Sequence, residues 1–259
     1  MQVTAGSAAI EALSGGTLTF QSHSDGGSAQ FIADSGGTID FSGTLGPNGD
    51  DKISAGSLAG AGQIFLGNQQ LTIGSNNLST VVSGPIDGVF GTALVKVGLG
   101  TLTLSGNNVL SHITVSAGTL DLASLGGDGG ADISLGATPA TLQIDNAAIG
   151  GGHNFNSTIR FLTNSGGPVI DLPGLPFSSA TSVTYNKINS TLVVDNAANQ
   201  VDFAHWIAQQ IQFAALDDHT GGTEIVPAII ESRPGKLVDA KHHPPADQWA
   251  ALHRRARCQ

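Results

Sequence analysis

Cysteine, aromatic residues and charged residues are all scarce in this chain of 259 residues. The single cysteine, Cys258, excludes a disulfide within the chain and a cysteine-based metal site. Charged residues make up only 12%, so the chain lacks the Lys, Glu and Arg that cover exposed helix faces, and we expect little helix. No run approaches the ~18 apolar residues of a membrane helix. The first residues also lack the basic start and apolar run of a signal peptide.

Basic residues are rarer still in the main part of the chain. Residues 1–232 hold four Lys or Arg residues against 18 acidic ones, whereas residues 233–259 hold the other six basic residues. Nucleic-acid binding needs clustered Lys and Arg, and attraction to anionic lipid needs the same charge. We therefore expect no nucleic-acid partner and no binding to anionic lipid, and the lack of a long apolar run predicts that this segment does not insert into a membrane.

Glycine, with 36 residues, is abundant, and it separates short segments in which apolar and polar residues alternate. This alternation is the period of a half-buried β-strand. The alternating segments are 17–20, 38–41, 63–66, 71–73, 101–104, 113–115, 119–122 and 141–144.

Equivalent residues recur about 20 positions apart, which fits one solenoid coil of two or three short strands. Leu18 and Ile39 are 21 residues apart, and Leu102 and Leu120 are 18 apart. A β-sandwich also has short strands, but here the unit repeats in sequence as well as in pattern, which favours an all-β solenoid. We expect the following side chains to point inward: Leu18, Phe20, Ile39, Phe41, Ile64, Leu66, Leu102, Leu104, Leu120, Leu122, Leu142 and Ile144.

The sequence divides into three parts. Residues 1–160 carry the solenoid repeats. Residues 161–228 are predicted to form a separate C-terminal β module that caps the solenoid, in which 201–216 is either a short helix or a strand pair and 221–226 is a closing strand. Residues 229–259 contain a Pro-Pro pair and a basic, repeat-free end, so we expect a disordered tail.

Residues 94–122 resemble the passenger-associated transport repeat of autotransporter proteins. The sequence departs from the repeat at Leu110 and His112, where the family has an aromatic residue and then glycine. Residues 31–84 and 168–226 are similar to other modules of large repetitive bacterial surface proteins. The repeat is matched by Lys96, Gly98, Gly100, Leu102, Leu104, Gly106, Asn108, Gly118 and Leu120.

This resemblance implies a right-handed parallel β-helix, exported across the outer membrane and placed at the bacterial cell surface or secreted. It also implies a non-catalytic stalk or adhesin whose repeats assist export and folding. The partners would be a host or surface ligand and an outer-membrane translocation barrel that this chain does not contain. No cofactor is expected.

Two other functions stay open from the residues alone. A carbohydrate-active β-helix enzyme would use Asp40, Asp121 and Asp145 if they formed an acidic ladder on one outer face. A calcium-stabilised module would use the acidic turns at 46–51 and 126–134, although the second matches the calcium repeat imperfectly and occurs once. The histidines are scattered without zinc-ligand spacing, and we predict no catalytic or metal-binding residue.

Overall fold

The computed structural model describes residues 3–136, 139–162, 167–186, 188–207 and 212–228. One 3-10 helix, η1, covers Asn146–Ala148. The strands are β1 (Val3–Thr4), β2 (Ala9–Ala12), β3 (Thr17–Ser22), β4 (Ser24–Asp25), β5 (Gln30–Ala33), β6 (Thr38–Thr44), β7 (Lys52–Ala55), β8 (Ser57–Gly60), β9 (Gln63–Gly67), β10 (Gln70–Ile73), β11 (Thr80–Val82), β12 (Ile86–Gly88), β13 (Ala93–Lys96), β14 (Thr101–Leu104), β15 (His112–Val115), β16 (Gly118–Leu122), β17 (Asp132–Leu135), β18 (Ala140–Ile144), β19 (Asn154–Phe155), β20 (Ile159–Phe161), β21 (Val169–Leu172), β22 (Ser182–Asn186), β23 (Thr191–Asp195), β24 (Gln200–Phe203), β25 (Trp206–Ile207), β26 (Gln212–Asp217) and β27 (Thr223–Ala228).

These strands build a β-solenoid of about seven turns, which confirms the predicted all-β fold. Three successive coils, β5–β7, β8–β10 and β11–β13, each contribute one strand to each of three sheets. Sheet 1 has the strand order β2-β5-β8-β11-β14-β16-β18-β21-β27-β26, sheet 2 has β25-β20-β17-β15-β13-β10-β7, and sheet 3 has β12-β9-β6-β3. Parallel pairing between successive coils distinguishes this architecture from an antiparallel sandwich.

Apolar side chains stack directly on one another from coil to coil. In sheet 2, Leu71 lies in register with Leu94, and Leu94 with Ile113. Eleven of the twelve predicted inward side chains are buried. The exception is Leu18, which is only partly buried because β3 is the edge strand of sheet 3 and has a neighbouring coil on one side.

Strand pairing changes toward the end of the described chain. Strand β21 still pairs in parallel with β18, but β27 pairs antiparallel with β21 and with β26. Strands β22, β23 and β24 form an antiparallel meander, and β24 also pairs in parallel with β19. Residues 201–216 thus contain strands in their described part, and the predicted closing strand corresponds to β27. The cap and the handedness remain predictions, and the predicted tail at 229–259 lies outside the described residues.

The described part of the chain contains no helix that is long and apolar enough to cross a membrane.

Candidate functional site

The repeat-like segment 94–122 lies in the middle of the stack and supplies strands to two successive coils, β13 to β16. Its three matching leucines, Leu102, Leu104 and Leu120, are buried and point into the core. Leu102 and Leu120 face each other across the β14–β16 pair. These leucines supply the apolar contact that one coil alone does not provide.

Lys96 is the last residue of β13 and is buried beside the corner that follows, with only 1% of its surface exposed. Its Nζ donates hydrogen bonds to the carbonyl oxygens of Val97 (2.8 Å), Gly98 (3.0 Å) and Ala117 (3.2 Å). The contact with Ala117 reaches the next coil. Burial lowers the pKa of Lys96 to about 8, since the charged form loses water. The lysine therefore links the corners of two successive coils through hydrogen bonds to three carbonyl groups.

The repeat glycines lie where the corners of adjacent coils touch. Gly98 has a φ of +67°, and a Cβ there would lie 2.0 Å from the carbonyl oxygen of Gly74. Gly118 stacks on Gly98 in the next coil with the same φ of +67°. At Gly100 and Gly106 a Cβ would lie 2.4 and 2.1 Å from carbonyl oxygens of the preceding coil. A side chain at any of the four would push the coils apart.

Asn108 connects three successive coils through its side chain. Its Oδ1 accepts a hydrogen bond from the backbone N–H of Ile86 (2.8 Å) in the preceding coil. Its Nδ2 donates to the carbonyl oxygen of Gly127 (2.8 Å) in the following coil. The residue is 5% exposed, so both contacts are shielded from water. All nine repeat positions thus make contacts within or between coils.

Further buried polar side chains at the corners were not predicted from the sequence. Thr44 donates to the carbonyl oxygens of Ser22 (3.1 Å) and Ser24 (2.7 Å). Gln69 in turn donates through Nε2 to the carbonyl oxygen of Thr44 (2.6 Å). These residues were missed because an isolated polar residue in a glycine-rich corner resembles a solvated turn, and only pairing with the neighbouring coil buries it.

The proposed acidic ladder is only partly formed. Asp121 and Asp145 lie on the same outer face, where the Gln143 amide donates to both (3.2 and 3.1 Å). Burial raises the pKa of Asp121, the hydrogen bond from Thr103 lowers it, and the nearby charge of Asp145 raises it. Asp40 instead lies in sheet 3, on β6. The three carboxylates therefore do not share one face.

The acidic turns are held by contacts within the protein. In the turn at 126–134, Asp128 accepts hydrogen bonds from the Ser157 hydroxyl and from the N–H of Gly130 (3.1 Å). Asp132 of the same segment forms an ion pair with Arg160 (3.2 Å). In the turn at 46–51, Asp50 lies 3.5 Å from Lys52. Over the described ranges, no three His, Cys, Asp or Glu side chains are grouped so that they could hold a metal ion.

Comparison with protein-family models, with curated protein sequences and with solved structures finds no match. The resemblance to the autotransporter repeat therefore depends on the nine motif residues of the sequence and stays a prediction.

Proposed function

We propose that this chain is a non-catalytic structural segment of a bacterial autotransporter-like surface protein. It would serve as a stalk or adhesin at the cell surface, and its repeats would assist export and folding. The observation that carries the proposal is that the repeat residues are used for contact between coils: Lys96, Gly98 and Asn108 each touch a neighbouring coil.

Contacts of this kind suit a protein that folds while it leaves a pore. Each coil finds its partners in the coils directly before and after it, so folding can propagate along the chain without waiting for distant segments. Successive coils are spaced by about 4.8 Å, so seven coils advance roughly 34 Å along the stack. The acidic body favours solubility outside the cell. The expected partners are an outer-membrane translocation barrel and a surface ligand.

The export proposal is tested with the full chain placed between a signal peptide and a translocating barrel in a Gram-negative host. We expect the chain to reach the surface, measured as cleavage by added protease over time. The double variant Gly98→Val, Gly100→Val should slow this arrival, because both side chains meet backbone of the preceding coil.

The matched control is Gly151→Val, because a Cβ at Gly151 would meet nothing within 4 Å and its φ is not positive. Export of the double variant at the rate of the control would contradict the proposal. Failure of the unaltered chain to reach the surface would contradict it as well.

A second candidate function, carbohydrate-active β-helix enzyme, is supported by the pair of Asp121 and Asp145. A carboxyl group with a raised pKa beside a second carboxylate is the usual arrangement for acid/base work on glycosidic bonds. The test is to measure the release of reducing ends from a panel of polysaccharides. Activity that is lost in Asp121→Asn and retained in Asp40→Asn would favour this candidate over the first. Stabilisation against heat by added calcium would instead favour the calcium-stabilised module.

A further inference from the structure

A cleft of about 220 Å³ opens where the last parallel coils meet the antiparallel meander. The turn around η1 forms one wall, the loop after β21 forms a second, and the start of β24 forms the third. Its lining residues are Asn146, Ile149, Gly150, His153, Gly174, Leu175, Asn199, Gln200 and Val201.

The surface that lines the cleft is mainly polar, and its described residues carry no fixed charge. Leu175 and Val201 are buried in the core beneath it, with 2% and 3% of their surfaces exposed. The rim carries three side-chain amides and the imidazole of His153. None of the described lining residues is Asp, Glu, Lys or Arg. The cleft therefore offers neutral groups that both donate and accept hydrogen bonds.

Two of the rim side chains are held in position by neighbouring groups. The side-chain amide of Asn146 packs against Gly174, where an added Cβ would lie 2.0 Å from the Oδ1 of Asn146. The Nδ2 of Asn146 donates a hydrogen bond to the carbonyl oxygen of Gly174 (3.4 Å). The Nε2 of Gln200 donates to Asp202 (2.5 Å). Because these groups are ordered before any ligand arrives, binding costs less conformational entropy.

The backbone of His153 is fixed from both sides of its turn. Its N–H donates to the carbonyl oxygen of Gly150 (3.2 Å), and its own carbonyl oxygen accepts from the N–H of Asp202 (2.8 Å). The residue adopts a φ of +67°, and its side chain remains exposed at the rim. This strained but doubly anchored turn keeps the imidazole at the mouth of the cleft.

We infer that this cleft binds one uncharged sugar ring, as a free monosaccharide or as the end of a glycan. The hydroxyl groups of a pyranose both donate and accept hydrogen bonds, so they match the side-chain amides that line the cleft. The volume is below the ~300–1,000 Å³ of pockets for larger ligands, so one ring fills it. The lining itself has no fixed charge, and the carboxylate of Asp202 beside Gln200 disfavours acidic sugars. This binding activity goes beyond the structural role and does not depend on export.

The test is a titration of the ¹⁵N-labelled full chain with glucose, galactose, mannose and N-acetylglucosamine, each followed by NMR. We expect at least one sugar to shift the side-chain amide signals of Asn146, Asn199 and Gln200 saturably, with a millimolar Kd because a single ring buries little surface. The double variant Asn199→Ala, Gln200→Ala should weaken binding about tenfold or more, since two hydrogen bonds are lost.

The control is Asn48→Ala, because Asn48 is exposed in the distant turn at 46–51 and should leave the Kd unchanged. If the double variant does not fold, as judged by its backbone spectrum, Asn199→Asp keeps the size of the side chain and adds charge, and it should weaken binding as well. The proposal is overturned if no neutral sugar gives saturable shifts, if the rim variants bind as tightly as the control, or if glucuronic acid binds as tightly as the neutral sugars.

Discussion

Replacing Asn108 with alanine should cost about as much stability as truncating a buried leucine of the repeat-like segment. The change removes the acceptor for the N–H of Ile86 and the donor for the carbonyl oxygen of Gly127. Ile86 and Gly127 are buried, so water does not replace the lost partner. Each unsatisfied buried backbone group costs about 1–3 kcal/mol, which gives a total loss of about 2–6 kcal/mol.

The assay is urea unfolding of the full chain followed by circular dichroism, together with hydrogen exchange of the Ile86 amide. Asn107→Ala is the matched control, because Asn107 is the adjacent residue of the same type and is exposed. We expect the control to stay within about 0.5 kcal/mol of the unaltered chain. The Ile86 amide should exchange faster in Asn108→Ala and at the original rate in the control. Equal losses in the two variants, or an unchanged Ile86 amide, would refute the assignment of Asn108 as the link between coils.

Three further changes test the corners and the outer face. Gly98→Ala should destabilise the fold by more than Gly91→Ala in thermal melts, since both positions have positive φ but only the Cβ at Gly98 would meet backbone. The free energy of unfolding should rise between pH 8 and 10.5, because in this range Lys96 has released its proton in the folded chain but still holds it in the unfolded chain. The variant Lys96→Met should abolish that rise. The pKa of Asp121 is raised by burial and by Asp145, so stability should fall as the pH rises through its titration, and Asp121→Asn should reduce that fall.

The inward faces could be predicted because strand alternation and coil stacking impose the same condition. A residue such as Ile39 has to be apolar to face the core, and it has to match Leu18 below and Ile64 above it. That double requirement leaves a regular pattern in the sequence. The repeat glycines could be predicted for a related reason, because the close approach of the corners permits no Cβ.

The assignment of strands to sheets could not be predicted in the same way. Corner lengths vary, from the single residue between β7 and β8 to the nine between β16 and β17, so the distance along the sequence does not give the sheet. For this reason Asp40 and Asp121 both occupy an outward position in the alternating pattern of a strand but lie on different sheets. The cleft could not be predicted from the sequence either. Its walls come from η1 and β24, which lie far apart in the sequence and meet only through the pairing of β19 with β24.

The polar corner contacts also explain why a solenoid with so few charges and aromatic residues has one defined register. Apolar stacking alone tolerates a slip of two residues, because alternate positions are similar to one another. Asn108 does not tolerate such a slip, since its two hydrogen bonds reach one backbone group in each neighbouring coil. Lys96 adds a similar condition through the carbonyl oxygen of Ala117. The leucines thus supply most of the favourable free energy of folding, while the buried asparagine and lysine select the pairing in which their backbone partners in the neighbouring coils are within hydrogen-bond distance.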